Sequence, residues 1–212
     1  VDLSKNNSNI FSFPLNVRDA KAAKNVFQNI IEKFKNLDIC VFCTGIHDPE
    51  SEKQLNSEKI RDIMETNFFG TLNCIMAANN FFRERKNGHI SIVSSVAGYR
   101  GLPAASGYCA SKSALTSLAE SLYFDFKRHN IRISLVSPGF IKTPMTDKNK
   151  FPMPMIKSAE FAAEKMFVGL TRKNAFEIHF PITFTLIMKF LRILPNWLYF
   201  LLVKKGMKTI KY

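Results

Sequence analysis

Residues 90–112 read ISIVSSVAGYRGLPAASGYCASK, and the order of residue types in this stretch predicts the fold. Residues 90–93 form a short apolar, β-branched run that ends in a loop of serine, alanine and glycine, which is typical of a buried strand. A helical stretch from about residue 107 to residue 128 follows, and a second strand-like run occupies residues 131–136. A strand, a helix and another strand in succession indicate an α/β protein with a parallel sheet.

Tyr108 and Lys112 are four residues apart, so both side chains fall on one face of the predicted helix. An ammonium beside a phenol favours the phenolate, and we expect it to lower the pKa of Tyr108 from its usual value of about 10. Such a phenol can donate a proton to a carbonyl oxygen or accept one from an alcohol. Ser95 lies at the carboxyl end of the preceding strand, where open α/β sheets bind ligands, and its hydroxyl can hold the same substrate oxygen. The same spacing also occurs on ordinary surface helices, but its place in the α/β pattern favours a catalytic site.

Five short stretches occur in a fixed order between residues 38 and 143: DICVFCTG at 38–45, TNFFG at 66–70, IVSSVAG at 92–98, YCASK at 108–112 and SPGFIKT at 137–143. Their order and spacing resemble those of the short-chain dehydrogenase/reductase superfamily. The resemblance covers roughly residues 10–181. It implies an NAD(P)-dependent oxidoreductase with a single Rossmann-type domain, in which a doubly wound parallel sheet is flanked by helices.

The resemblance assigns catalytic roles position by position. Tyr108 is expected to act as the acid and base, and Ser95 to polarise the substrate carbonyl. Lys112 is expected to bind the nicotinamide ribose hydroxyls and to tune Tyr108. Asn67 is expected to lie in a helix kink and to hold a water in a proton relay to Lys112.

The resemblance also assigns residues to the cofactor, NAD or NADP, in addition to Tyr108 and Lys112. Pro138, Gly139 and Thr143 are expected to line the nicotinamide, and Gly45 to border the adenosine side. Asn16-Val17 stands where the family usually has an aspartate before a valine, against the adenine amino group. The side-chain oxygen of Asn16 can still accept a hydrogen bond there.

The chain departs from the family pattern at two places. The family usually has Asn-Asn-Ala before the glycine at position 45, whereas this chain has Phe42-Cys43-Thr44. The family's glycine-rich loop, which holds the pyrophosphate at a helix amino terminus, has no counterpart in these 212 residues. The choice between NAD and NADP is read from that loop and from the end of the second strand, so it stays open.

Residues 10–15 are predicted to be the family's third strand, which means that strands 1 and 2 are absent from this sequence. In the family's strand order, 3-2-1-4-5-6-7, the run at 39–42 then becomes an exposed apolar edge. We therefore expect residues 1–181 to form a partial Rossmann-type domain, incomplete in its amino-terminal part, from a longer enzyme. The alternative is a truncated, cofactor-free relic.

The composition limits the classes of partner. The length predicts one domain, and the net charge of +13 would suit nucleic acid or an anionic membrane. The lysines are spread out and no nucleic-acid motif is present, so we expect no nucleic-acid partner. The four cysteines are predicted to be buried thiols of a reducing, cytoplasmic compartment, and neither they nor the four histidines have the spacing of a metal site.

Residues 182–212 are predicted to form a basic, apolar helical tail. From residue 181 onward the sequence has six Lys or Arg and no Asp or Glu, and its two apolar stretches are separated by Pro195. Neither stretch approaches the roughly twenty residues of a membrane-spanning helix. Such a tail can lie in an anionic membrane interface, as a peripheral protein on the inner face of a membrane. It can also cap a substrate pocket or pack in a dimer.

Two functions remain at this stage. The first is hydride transfer between a nicotinamide cofactor and a carbonyl or secondary alcohol, on an apolar or lipid-like small molecule. The second is a non-catalytic, truncated relative that serves as an interaction or membrane-surface module. By analogy with the family's usual dimer surface, the helices at about 57–86 and 107–128 also predict a homo-oligomer.

Overall fold

The computed structural model describes residues 7–49 and 55–207, and within them it forms a four-stranded parallel sheet. The strands are β1 (Ile39–Phe42), β2 (Gly88–Val93), β3 (Ile131–Pro138) and β4 (Glu177–Phe180), which lie side by side in chain order. Parallel neighbours need a crossover connection, and helices supply it between each pair. The sheet and its helices confirm the predicted α/β, Rossmann-type class.

The same ranges contain seven α-helices. They are α1 (Ala20–Phe34), α2 (Ser57–Met64), α3 (Gly70–Arg85), α4 (Ser106–Arg128), α5 (Ala159–Arg172), α6 (Ile182–Ile193) and α7 (Asn196–Met207). A π-helical segment, Glu65–Phe69, joins α2 to α3 without a break and contains Asn67, the residue at which a helix kink is predicted. Two helices form the tail, as the sequence predicted, and they meet at Pro195.

The main core lies between β2, β3 and the helices packed on them. Ile90 and Ile92 alternate along β2, and Leu135 occupies the matching register on β3. Phe82 of α3 and Leu115 of α4 pack into the same cluster, and both are fully buried. This packing fixes α4, which carries the Tyr108 and Lys112 pair, against the carboxyl end of the central strands.

Residues 10–15 do not form the strand that the sequence predicted. A strand needs a neighbour for its backbone hydrogen bonds, and in the described part of the chain no strand lies beyond β1 to supply one. The segment instead packs its Phe11 and Phe13 rings on Phe34 of α1, with ring centroids 5.0 Å and 6.4 Å apart. β1 forms one edge of this sheet, as predicted, and its Val41 is exposed.

The prediction of four buried cysteines was wrong at one position. Cys40 and Cys109 are buried and Cys74 is half-buried, whereas Cys43 is exposed, and all four are free thiols. Cys43 follows the last residue of β1 and so lies outside the sheet core. Burial raises the pKa of Cys40 to about 12, which keeps that thiol protonated at neutral pH.

Gly88, at the start of β2, occupies a position that no other residue fits. Its φ is +150°, and a Cβ there would lie 2.0 Å from Cδ1 of Phe82. We expect Gly88→Ala to lower the free energy of unfolding by about 3 kcal/mol, because both strain and overpacking act there. Urea denaturation measures it. Gly101→Ala is the matched control, since nothing lies within 4 Å of the added methyl, and an equal loss in both variants would contradict the prediction.

Candidate active site

The loop after β2 carries Ser95 to the end of β3. The Ser95 hydroxyl accepts a hydrogen bond from the Ala97 amide at 3.1 Å and caps the short 3₁₀ turn Val96–Gly98. It also donates to the Pro138 carbonyl at 3.5 Å. Two of the predicted site residues, Ser95 and Pro138, therefore meet at the carboxyl edge of the sheet, where parallel sheets bind ligands.

Tyr108 and Lys112 lie together on α4. The Lys112 Nζ is 5.7 Å from the centre of the Tyr108 ring. The Tyr108 ring packs against the cluster of Ala97, Ala105 and Cys109, and Ala97 belongs to the turn that Ser95 caps. The predicted tyrosine and lysine thus lie together on the helix that packs against the Ser95 turn.

The Lys112 ammonium is held in a buried position. Only 4% of the residue is exposed, and Nζ donates to the Val93 carbonyl at 2.9 Å. Burial lowers the pKa of Lys112 from 10.5 to about 8. A Cβ at Gly45 would lie 3.3 Å from Nζ, so the glycine lets the loop after β1 approach this ammonium closely.

Asn67 is fully buried and fixes the same loop from the other side. Its Oδ1 accepts from the Ile46 amide at 2.7 Å, and its Nδ2 donates to the Ile46 carbonyl and to the Ser111 hydroxyl, each at 3.0 Å. A Cβ at Gly45 would lie 3.6 Å from Oδ1 of Asn67. The predicted residues Asn67, Gly45 and Lys112 are therefore neighbours.

Ser94, which the sequence did not assign to the site, forms hydrogen bonds that connect β2 to α4. It is buried, and its hydroxyl donates to the Lys112 carbonyl at 2.8 Å and shares a hydrogen bond with Thr116. These bonds tie the end of β2 to α4. They hold the helix that carries Lys112 and Tyr108 against the loop that contains Ser95.

His47 is a site residue that the sequence analysis missed. Its ring centroid lies 4.5 Å from that of Tyr108, with the two planes tilted by 35°. The four histidines lack metal-ligand spacing, so His47 did not stand out in the sequence. Its position two residues after Gly45, in the loop that follows a parallel strand, is the feature that could have identified it.

The predicted nicotinamide residues lie at the end of β3 and in the loop that follows it. The Gly139 amide donates to the Phe180 carbonyl at 2.7 Å, and a Cβ at Gly139 would lie 2.8 Å from Cδ1 of Phe184 on α6. The first tail helix is thus packed directly on the loop after β3. The Thr143 amide donates to the hydroxyl of Thr146, in a turn further along that loop.

Asn16 bonds within its own turn, and Val17 joins that turn to α3. The Asn16 side-chain oxygen accepts from the Arg18 amide at 3.1 Å, and the Val17 carbonyl accepts from Asn73 at 3.0 Å. The Val17 side chain packs so closely on Gly70 that a Cβ there would lie 2.6 Å from it. Their contact with adenine stays a prediction.

Residues 7–49 and 55–207 hold no group of three or more His, Cys, Asp or Glu side chains placed to bind a metal ion. None of their helices has the length and apolarity needed to cross a membrane.

The family model described as short chain dehydrogenase matches residues 2–152. The chain belongs to the short-chain dehydrogenase family. This membership places it among the NAD(P)-dependent oxidoreductases. The matched range contains every predicted site residue, including Ser95, Tyr108 and Lys112.

Similar proteins agree with this membership. An uncharacterized oxidoreductase of Myxococcus xanthus is 34% identical over 185 residues, which are 87% of this chain and 73% of that protein. The 3-oxoacyl-(acyl-carrier-protein) reductase FabG of Thermotoga maritima is 31% identical over 136 residues, which are 64% of this chain but only 55% of the reductase. A Burkholderia cenocepacia short chain dehydrogenase, solved in complex with NADP, has the same fold, with a TM-score of 0.74 at 23% identity over 87% of this chain and 75% of that one.

Proposed function

We propose that the protein transfers a hydride between NAD or NADP and a carbonyl or secondary alcohol carbon, with Tyr108 managing the proton. The observation that carries this proposal is the buried Lys112 ammonium, 5.7 Å from the Tyr108 ring centre, on the helix that packs against the turn capped by Ser95. A positive charge at that distance favours the phenolate of Tyr108. That is the property a proton shuttle at neutral pH requires.

The residues present fit the nicotinamide half of the cofactor. An ammonium has three donors, and the bond to Val93 uses one of those on Lys112, which leaves donors for ribose hydroxyls. The missing side chain at Gly45 leaves space beside the Lys112 ammonium, which any larger residue at position 45 would reduce. When bound, the cofactor supplies or accepts the hydride.

The chain's own residues handle the substrate oxygen. In reduction, the Tyr108 hydroxyl gives its proton to the oxygen as the carbonyl carbon gains the hydride, and the Ser95 hydroxyl donates a hydrogen bond to the same oxygen. In oxidation, the Tyr108 phenolate takes the proton of the alcohol. Lys112 stabilises the phenolate in both directions, and Asn67 holds the loop at Ile46 that borders the site.

The substrate in this proposal is an apolar, lipid-like small molecule. Aromatic rings line the loop after β3: Phe140 lies 5.5 Å from Phe184 and 6.1 Å from Phe151, centroid to centroid. The same loop carries Met145, Met153 and Met155, and flexible methionines suit an adaptable apolar surface. The named activity of the Thermotoga relative, reduction of an oxoacyl group, is chemistry of the same kind.

A homo-oligomer is proposed as well. Phe124 on α4 is 72% exposed, and Phe69 and Met76, on the π segment and α3, are also exposed. Apolar side chains in such positions favour association. Sedimentation-velocity analysis of the native-length protein, with Phe124→Ser as the variant, tests this.

The proposed activity is tested by titrating NADH and NADPH separately with the native-length protein, while following nicotinamide fluorescence. We expect saturable binding to the native-length protein and consumption of one of the two cofactors when a medium-chain methyl ketone is added. Absence of both binding and consumption in the native-length protein would refute the proposal.

The second candidate function is a non-catalytic module at a membrane surface. The observation that favours it is the exposed apolar side of the two tail helices. The same titration separates the candidates, because a non-catalytic module consumes neither cofactor.

A further inference from the structure

The helix α6 presents an apolar face to solvent. Ile182, Leu186, Phe190 and Ile193 are all exposed, and their spacing of four, four and three places them on one side of the helix. The opposite side is buried through Phe184, Thr185 and Met188. The helix is therefore apolar on both sides, and its outer side carries few polar residues, among them Thr183 and the partly exposed Lys189.

The helix α7 continues this pattern. Trp197 is 70% exposed, and Leu201 and Lys204, four and seven residues further on, lie on the same side and are exposed too. Phe200 flanks them, also exposed, whereas Tyr199 on the inner side is buried. We call the exposed residues of α6 and α7 the tail face.

The tail helices are firmly attached to the domain. Arg100, in the loop before α4, donates to the carbonyls of Leu191 and Leu194, each at 2.7 Å, and to the Asn196 side chain at 2.6 Å. Its guanidinium stands 4.0 Å from the Tyr199 ring centre. These bonds hold the turn between the helices, so burying the tail face by folding the helices back onto the domain would break them.

The charges indicate what covers the tail face. Residues 181–212 have six Lys or Arg and no Asp or Glu, and Arg192, Lys204 and Lys205 are exposed beside the apolar residues. A second copy of the chain, placed on the same face by a twofold axis, would bring these cations together. We propose that the tail face docks on the surface of an anionic lipid bilayer, with Trp197 and Phe200 at the headgroup level and Lys204 and Lys205 on acidic headgroups. The proposal rests on these contacts and charges alone and is independent of the oxidoreductase activity.

The chain contains its own probe, because Trp197 is its single tryptophan. We expect its emission to shift to shorter wavelength when vesicles of phosphatidylglycerol and phosphatidylcholine are added to the full chain, and brominated lipids to quench it. Vesicles of phosphatidylcholine alone should give a much smaller change. An unchanged spectrum with both vesicles would overturn the proposal. So would a lipid-independent shift that grows with protein concentration, because a second copy then covers the face.

Charge reversal tests the electrostatic part. Each lysine near an anionic surface strengthens binding by about fivefold, so we expect the double variant Lys204→Glu, Lys205→Glu to bind these vesicles at least about 25-fold more weakly in co-sedimentation. The matched control, Lys21→Glu with Lys24→Glu, makes the same charge change at two exposed sites on α1 and should bind nearly as wild type. An equal loss in both double variants would overturn the proposal, since the attraction would then come from overall charge.

Discussion

Replacement of Tyr108 by phenylalanine is expected to lower kcat for carbonyl reduction by about a thousandfold, within the range that a general acid contributes. The phenylalanine ring keeps the packing on the cluster that contains Ala97 and the contact with His47, while the hydroxyl that donates the proton is removed. The dissociation constant of NAD(P)H should stay within about twofold of the wild-type value, a change too small to matter beside the loss of general-acid catalysis. Steady-state kinetics and cofactor titration on the native-length protein measure the two effects separately.

Tyr123→Phe is the matched control for this variant. Tyr123 lies on the same helix, α4, but its ring packs against Phe176 instead of the Ser95 turn. It should turn over like the wild type. Turnover retained in Tyr108→Phe would remove Tyr108 from the role of proton donor.

Replacement of Lys112 by methionine is expected to change the pH dependence of stability. Burial lowers the pKa of Lys112 to about 8 in the folded protein from 10.5, so between these values the unfolded chain binds a proton that the folded chain has lost. The contribution of Lys112 to the free energy of unfolding therefore rises with pH between about 8 and 10.5, by about 3 kcal/mol in total. Below about pH 8 the cost of burying the ammonium is fully present.

The measurement is urea denaturation at several pH values between 7.5 and 10.5, as the difference between wild type and Lys112→Met. Taking the difference removes the pH dependence contributed by groups that both proteins share, such as Cys40, whose pKa is raised by burial. We expect the free energy of unfolding of the wild type to increase relative to that of the variant as the pH rises. Parallel profiles would mean that Lys112 is not buried as a cation. Cofactor affinity should fall in the same variant, because the ammonium for the ribose is gone.

The sequence predicted the parts of the fold that depend on local pattern. The strand at 90–93 and the helix carrying Tyr108 and Lys112 both follow from residue order and are present. Residues 10–15 carry a strand-like pattern as well, yet they form no strand, because pairing depends on a neighbour and not on the segment itself.

The site was predictable as a set of positions but not as a network. The sequence placed Ser95, Tyr108 and Lys112 at one edge of the sheet. It did not reveal that Asn67 holds both the amide and the carbonyl of Ile46, nor that His47 stacks on Tyr108. Those contacts join segments far apart in the chain, so they follow from tertiary packing and not from local spacing.

Transfer of deuterium tests the central claim most directly. The native-length protein is incubated with NADH or NADPH carrying deuterium at the transferable position of the nicotinamide, together with a medium-chain methyl ketone, and the alcohol is examined by mass spectrometry. We predict deuterium on the carbinol carbon with wild-type protein and almost none with Tyr108→Phe. A product without deuterium, or equal labelling by the two proteins, would contradict hydride transfer at a site built on Tyr108.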